Sequence, residues 1–246
     1  MPADAAIICC YTLAITQNGR ANSMAAYRHE YKHEINKSDF ITLSMRLNAA
    51  LRADEFARAD GAYEITSLYF DDVYDTALKE KLNGVNCRDK FRLRRYNNDT
   101  EHIKLEKKSK RGGLCLKECA AITAAQAQSI IGGDIDFLAA QGGVMAELYS
   151  RMRAGLMPKT IVRYTRRAYT YPAGNVRITL DYDIRTSPAV YDFLNADAVC
   201  IPACGGTILL EVKWDEFLPD FIADLIFIPG RRSGSFSKYA QCRIYG

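Results

Sequence analysis

Residues 87–110 read Cys87-Arg88-Asp89-Lys90-Phe91-Arg92-Leu93-Arg94-Arg95-Tyr96, then Asn97-Asn98-Asp99-Thr100, then Glu101-His102-Ile103-Lys104-Leu105-Glu106-Lys107-Lys108-Ser109-Lys110. Charge recurs at every second position: Arg88, Lys90, Arg92 and Arg94 alternate with Cys87, Phe91 and Leu93. Beyond the turn at 97–100, Lys104, Glu106 and Lys108 repeat the arrangement against Ile103 and Leu105. Alternate side chains of an extended strand share one face. Two such strands would aim these cations and Glu106 at one surface, with apolar groups behind. Like charges so close repel, and a fold keeps them converged when a polyanion or a metal-bound phosphate compensates. The simpler alternative is the solvated face of an ordinary half-buried sheet.

Repetition of the pattern elsewhere argues against that alternative. Arg28, Glu30 and Lys32 share a face within 25–35, and Arg177, Thr179, Asp181 and Asp183 oppose Val176, Ile178 and Leu180. Leu209, Glu211 and Lys213 alternate with Ile208, Leu210, Val212 and Trp214. Tyr164 and Arg166 alternate with Arg163, Thr165 and Arg167, so the inward face there stays open. Several strands bringing charge to one side predict a closed or nearly closed barrel with a polar bore and helices packed outside. An unpaired buried cation costs several kcal/mol, so the bore must hold water and bind anions. The interspersed carboxylates Glu30, Glu106, Asp181 and Glu211 suit either a divalent ion bridging phosphate oxygens or ion pairs with the arginines.

The remaining pattern places strands at 25–35, 65–70, 114–120, 159–171, 176–186 and 206–214. Pro172-Ala173-Gly174-Asn175 gives a hairpin signal between two of them. Ser38 is the expected cap of a helix reaching about Arg52, with Phe40, Leu43, Leu47 and Leu51 at helical spacing. Asp71-Asp72 opens a short helix through Leu82, and Thr123 caps a helix ending at Gly132-Gly133. A helix over 135–153 is interrupted by Gly142-Gly143, which would kink it. Residues 220–228 read as helical, and 236–243 fit strand or helix. Hairpin-linked strands with helices gathered in insertions define an α+β class with an antiparallel tunnel of about eight strands. Neither Gly112-Gly113 nor any other segment forms a glycine-rich phosphate loop.

A chain of 246 residues, 48% hydrophobic, can bury one sizeable core. Its net charge is only +4, but residues 88–117 hold 11 Lys/Arg against 4 Asp/Glu, a local excess of 11 − 4 = +7. The basic character therefore belongs to a site rather than to a tail. Eight cysteines include no C-x-x-C pair, and no histidine completes a zinc signature, so the thiols read as reduced and the protein as cytoplasmic. Three scattered histidines argue against a nucleophilic triad. No apolar run approaches the roughly 18 residues of a membrane helix, and residues 1–16 lack the cationic start of a signal peptide. Residues 1–23 are expected to be a poorly ordered extension, Met24 the biological start, and 24–246 a single domain.

Eight segments, in order, resemble the VTC domain, the polyphosphate polymerase branch of the triphosphate tunnel metalloenzyme (CYTH-like) superfamily. They are residues 28–32 (RHEYK), 67–72 (SLYFDD), 91–96 (FRLRRY), 105–108 (LEKK), 164–169 (YTRRAY), 176–181 (VRITLD), 210–213 (LEVK) and 236–239 (FSKY). The resemblance covers about 24–243. It implies a tunnel of antiparallel strands that binds triphosphate or polyphosphate through inward Lys and Arg, with Mn²⁺ or Mg²⁺ on acidic residues. Carried over, Lys32, Arg92, Arg94, Lys108, Lys117, Arg166, Arg177 and Lys238 look like phosphate ligands, with Arg92, Arg94, Arg166 and Arg177 as the catalytic set. Tyr164 and Ser237 look like hydroxyl donors, and Glu211 like the metal ligand. The chain departs from the pattern at Arg28, where the wider superfamily has a glutamate, and at Ser235, where the polymerases tend to have lysine. The membrane helices and accessory phosphate-binding domain of the eukaryotic complexes are not matched.

The resemblance implies transfer of the γ-phosphoryl group of ATP to a polyphosphate chain. A triphosphatase of the same fold differs only in using water as acceptor. It would need a further carboxylate to orient that water, and Arg28 leans away from it. A third reading is a non-catalytic module that binds polyphosphate or inositol phosphate and regulates a separate membrane partner, through which any membrane association would run. Nucleic acid is not an expected partner, because alternation puts Phe91 opposite the arginines and away from any base it might stack on.

Overall fold

The computed structural model describes residues 28–54, 56–112, 114–231 and 233–245; the expectations for 1–23 and for Met24 lie outside these. In chain order the elements are β1 (His29–Ile35), α1 (Lys37–Ala50), β2 (Arg52–Ala53), β3 (Ala62–Asp71), α2 (Thr76–Leu82), β4 (Arg88–Tyr96), β5 (Ile103–Arg111) and β6 (Leu114–Ile122). They continue with α3 (Ala124–Gly132), α4 (Gly143–Arg153), β7 (Met157–Tyr171), β8 (Val176–Ser187), β9 (Ile201–Pro202), β10 (Ile208–Trp214), α5 (Asp220–Ile226) and α6 (Lys238–Tyr245). The sheet order is β1-β10-β8-β7-β3-β4-β5-β6, with every neighbour antiparallel, while β2 pairs with β7 and β9 with β8. This is the expected α+β class. The sheet is strongly curled, with β1 and β6 as its two terminal strands. The free edge of β1 is met by the C-terminal segment, where the Gly234 N–H donates to the Lys32 carbonyl at 2.9 Å.

Period-two alternation sorts the side chains into an outer and an inner layer. Outside, Leu68, Phe70, Phe91, Leu93, Leu105 and Ile161 pack on Ile130 and Ile131 of α3 and Leu148 of α4. Ile178, Leu180, Leu210 and Val212 pack on Leu43 and Leu47 of α1 and Ile222 of α5. Leu43 and Leu47 are fully buried, which stabilises the docked helix by roughly 1.5–3 kcal/mol each. Inside, part of the bore is apolar. Tyr63, Ile65, Tyr69, Tyr164 and Leu209 gather around Tyr239, Ala240 and Cys242 of α6. The ambiguous C-terminal stretch is thus a helix, and it lies against the inner face of the barrel.

Three local expectations are corrected. The cap of α1 is Asn36, not Ser38: Asn36 is extended and its Oδ1 accepts the Asp39 N–H at 2.9 Å, while Asp39 accepts the Asn36 N–H at 3.1 Å. That reciprocal box satisfies two free donors that a serine inside the first turn cannot reach. The helix expected over 135–153 is broken, not kinked. A 3₁₀ turn at Asp136–Leu138 ends, and α4 starts anew at Gly143, whose φ of +59° lies in the left-handed region that favours glycine and interrupts a continuous right-handed helix. The helix expected from Asp71 begins only at Thr76. The β7–β8 hairpin forms as expected, and Gly174 there has φ +71° with space for no side chain, since a Cβ would lie 2.2 Å from the Phe217 carbonyl oxygen.

Candidate anion-binding site

The inner face of β4 carries Lys90, Arg92 and Arg94, and that of β5 carries Lys104, Glu106 and Lys108. Arg92 and Glu106 are cross-strand partners, and the Arg92 Nε donates to Glu106 at 2.7 Å. Lys117 of β6 lies 2.5 Å from the other carboxylate oxygen, and Arg94 lies 4.0 Å away. Glu106 is fully buried. Burial alone would raise its pKa, but Arg92, Arg94 and Lys117 hold it far below the usual carboxylate range.

A second set begins on β7. Arg166 donates to both oxygens of its register partner Asp181 at 2.6 and 2.8 Å, and Lys238 of α6 meets the same carboxylate at 2.5 Å. Tyr164 joins the two sets: its hydroxyl oxygen accepts from Arg94 at 3.2 Å and from Arg166 at 3.4 Å. Lys238 also lies over the Tyr164 ring, 4.7 Å from its centre. Arg94 is further fixed by Ser67 at 3.2 Å, and Arg92 by Tyr69 at 3.0 Å. The inward face of β7, open in the sequence, is therefore that of Tyr164 and Arg166. Arg163 points outward, toward Glu64 at 3.7 Å and the Ala198 carbonyl at 3.4 Å.

The third set is Lys32, Glu30, Glu211 and Lys213. Lys32 faces Glu211, and Lys213 faces Glu30, across β1 and β10. Lys32 bonds Glu30 at 2.8 Å, and Lys213 reaches Glu211 at 2.5 Å and Glu30 at 3.3 Å. Burial pulls the Lys32 pKa down, yet Glu211 and Glu30 raise it overall. Burial works against Glu211 ionising, but Lys213, Lys32, Lys238 and Arg166 hold its pKa well below the usual value. Arg166 and Lys238 belong to the second set, so the two sets share one enclosed space.

Lys108 stands apart from these pairings. Water reaches its side chain, but protein surrounds it. Burial, then Arg92 and Lys213, push its pKa well below the ordinary lysine value, with Glu211 only partly opposing. Its partners across the strands are Lys90 on one side and Lys117 on the other. Like charges directly opposite are destabilising, and here three lysines stand in one row. Lys90 is likewise pushed down to about 8 by burial and by Lys81 and Arg88.

The structure thus brings Lys32, Arg92, Arg94, Lys108, Lys117, Tyr164, Arg166, Glu211 and Lys238 around one bore. Arg177 lies at its margin, bound to the Tyr63 hydroxyl at 2.9 Å and to Asp54 at 2.5 Å. Ser237 sits just before α6, where its oxygen accepts the Ala240 N–H at 3.4 Å and so faces the helix end. Sequence reading left several members unassigned. Tyr69 and Ser67 position arginines, Lys213 bridges two carboxylates, and Asp71 anchors α6 by accepting the Tyr239 hydroxyl at 2.5 Å. The alternation signal could have found Ser67, Tyr69 and Lys213, which share the inward parity of their strands. Asp72 is a turn acid that accepts the N–H groups of Tyr74 and Thr76.

Among the described residues no group of three or more His, Cys, Asp or Glu could hold a metal ion. Glu211 and Glu30 flank the Lys213 ammonium, so two carboxylates already converge on a cation. That donor set is too small for a resident ion but fits a divalent ion that arrives with phosphate and completes its shell with phosphate oxygens and water.

The sequence matches the VTC domain family over residues 27–244. The chain belongs to the VTC domain family. A search of curated proteins finds no match. Among solved structures, a putative adenylate cyclase from Bacillus halodurans aligns with TM-score 0.49 and 14% identity, over 81% of this chain and 86% of that one. The PH1819 protein from Pyrococcus horikoshii OT3 aligns with TM-score 0.41 and 15% identity, over 81% and 84%. A conserved hypothetical protein from Pyrococcus furiosus aligns with TM-score 0.39 and 14% identity, over 81% and 85%. No helix among the described residues is long and apolar enough to cross a membrane.

Proposed function

We propose that this VTC domain is a polyphosphate polymerase-like phosphotransferase, moving the γ-phosphoryl group of ATP onto a polyphosphate chain inside the bore. One observation carries the reading. The row Lys90–Lys108–Lys117 crosses three adjacent strands, and neither Lys90 nor Lys108 has a carboxylate partner among the described residues. A fold tolerates such a row when a chain of negative charges lies along it, and polyphosphate presents one charge per repeat.

The chemistry requires no side-chain nucleophile. A terminal phosphate oxygen of the acceptor, already anionic, attacks the γ-phosphorus in line. The bond to the β,γ-bridging oxygen breaks, ADP leaves, and the acceptor is one phosphate longer. Arg92 and Arg94 bind the equatorial oxygens, where charge is spread in a loose transition state. Both are buried and held by Tyr69, Ser67 and Tyr164, so little reorganisation accompanies the reaction. The planar guanidinium contacts two oxygens at once. Tyr164 accepts from two arginines, which turns its own proton toward the bore as a donor to phosphate. Arg166, fixed by Asp181, and Arg177, Lys32, Lys108, Lys117 and Lys238 bind the remainder of the anion, with Ser237 at the entrance of α6. A Mg²⁺ or Mn²⁺ ion held by Glu211 beside Glu30 would supply charge neutralisation between neighbouring phosphates.

Purified protein incubated with ATP and Mn²⁺ tests this reading, with products resolved by phosphorus NMR and by gel. The expected product is ADP with a ladder of polyphosphate. Orthophosphate without polymer would make it a triphosphatase, and tight polyphosphate binding with no turnover would make it a binding module.

A further inference from the structure

Two thiols that the proposed chemistry does not use face each other where the C-terminal helix meets the barrel. Cys242 of α6 is buried, and Cys204, half-buried, opens the short turn Cys204–Gly206 that leads into β10. The turn packs against α6, and the two thiols lie close enough that each shifts the other's titration. They pack in the same inner cluster as Tyr164, Leu209 and Tyr239. Cys204 has φ +64°, followed by Gly205 at +54° and Gly206 at +77°. Left-handed backbone is free for glycine but costs a residue with a β-carbon conformational energy. A cysteine therefore occupies the first position of this turn against the backbone preference.

We propose that Cys204 and Cys242 form a reversible redox-modification site, closing a disulfide that pins α6 to the β9–β10 turn. Hydrogen peroxide is the oxidant class, and Cys204 is the attacking group. The neighbouring Cys242 thiol and the field of the Lys238 ammonium both favour its thiolate. The Cys204 thiolate attacks one peroxide oxygen, the O–O bond breaks, and the departing hydroxide takes a proton to leave as water. Cys204 is then a sulfenic acid. The Cys242 sulfur attacks the Cys204 sulfur, the S–O bond breaks, and the hydroxide leaves as water with the Cys242 proton. Two electrons pass from the thiols to one peroxide. Since α6 holds Lys238 on Asp181 and Tyr239 on Asp71, the bond fixes how these groups stand over the inner face. The inference rests on thiol placement and holds whichever reaction the bore performs.

The test uses the full chain with Cys9, Cys10, Cys87, Cys115 and Cys119 changed to serine, which retains Cys200, Cys204 and Cys242. After equimolar hydrogen peroxide, peptide mass mapping without reductant should find the segments holding 204 and 242 joined and lighter by two hydrogens. Dithiothreitol should reverse the link, and Cys242→Ser should prevent it. Amide exchange across α6 should slow about tenfold or more, and the melting temperature should rise by roughly 5–10 °C. A Cys200–Cys204 link, sulfinic acid at Cys204 with no link, or an unoxidised Cys204 overturns the proposal. The unsubstituted chain mapped in the same way must give the same crosslink, so a poorly folding variant does not shield the idea.

Discussion

Replacing Glu106 with glutamine probes the centre of the bore while nearly preserving shape. Its carboxylate binds Arg92 at 2.7 Å and Lys117 at 2.5 Å and stands 4.0 Å from Arg94. A charge pair at about 4 Å is worth on the order of 4 kcal/mol at an effective dielectric of 20. Removing one partner of a buried pair costs about 3–5 kcal/mol, because the other charges lose their compensation. At roughly 2–4 °C per kcal/mol for a domain of this size, Glu106→Gln should melt roughly 6–20 °C lower. The opposite sign is expected for anion binding. A unit charge about 6 Å from a phosphate contributes about 3 kcal/mol at the same dielectric. Even after screening by the flanking guanidiniums, the variant should bind tripolyphosphate about tenfold tighter and gain the larger thermal shift on saturation. The pH dependence has a definite direction. The folded pKa of Glu106 lies below its unfolded value of 4.5, so its contribution is complete above that value and fades as pH falls further. The stability gap between parent and variant should therefore close in acid. Calorimetric melting from pH 7 to 3, with and without tripolyphosphate, measures all of this. A variant that melts with the parent and binds tripolyphosphate no tighter would show that phosphate does not approach the Arg92–Arg94 pair.

Arg94→Ala should weaken tripolyphosphate binding by about 1.5–3 kcal/mol while leaving the empty protein as stable or more so; a sharp loss of stability with unchanged affinity would make Arg94 structural. Lys90 titrates near 8 when folded, against 10.5 unfolded, so between those values the unfolded chain holds the extra proton and stability rises with pH. Tripolyphosphate restores that proton, so binding at pH 9 should take up protons in calorimetry run in buffers of different ionisation heat; equal heats in all buffers refute this, and Lys90→Met should lower the uptake, leaving the share of Lys108. Tyr239→Phe removes the hydroxyl bound by Asp71 and should cost about 1–2 kcal/mol in urea unfolding, with no loss if α6 is held elsewhere. Thr123→Ala removes the capping box of α3 and should cost about 1 kcal/mol without changing tripolyphosphate affinity.

Much of this architecture is legible from period alone. The alternation at 88–94 and 103–108 places Arg92 and Arg94 inward and Phe91, Leu93 and Leu105 outward, because a regular strand leaves no other choice. The hairpin at 172–175 and the cap at Thr123 follow from local chemistry and fall where expected. What period cannot give is register, since which inward residue faces which depends on turn geometry and strand order. Arg166 and Asp181 are 15 residues apart, and only the β7–β8 pairing makes them partners. A register irregularity between Arg163 and Thr165 also breaks the simple count that would extend the inward face to Asp183. That residue has φ +48° and pairs with Arg185 on the exposed side. Arg95 carries no periodic signal of its role. It is fully buried on the outer face, donating to the Phe193 and Asn195 carbonyls at 2.9 and 3.1 Å, because a loop distant in sequence folds back over it. The place of α6 is likewise long-range, set by Asp71 and Asp181 together.

Register also explains how the bore keeps a surplus of cations. Its four carboxylates each stand directly opposite a cation: Glu106 opposite Arg92, Asp181 opposite Arg166, Glu211 opposite Lys32, and Glu30 opposite Lys213. These pairs tie together β4–β5, β7–β8 and β1–β10, so the arginines are oriented before any ligand arrives. Of the lysine row across β4, β5 and β6, Lys117 shares Glu106, whereas Lys90 and Lys108 have no carboxylate partner among the described residues, and their repulsion is carried by the folding energy of the outer apolar layers. A short anion could neutralise one cluster only. A polymer following the strands' cross direction would meet Lys117, Lys108 and Lys90 in turn, then the oriented arginines beside them. Chain length should therefore raise affinity stepwise until that row is spanned and add little afterwards. A series of defined-length polyphosphates, measured by competition at fixed ionic strength, reads the plateau directly, and equal affinity for pyrophosphate and long polymer would refute a shared track.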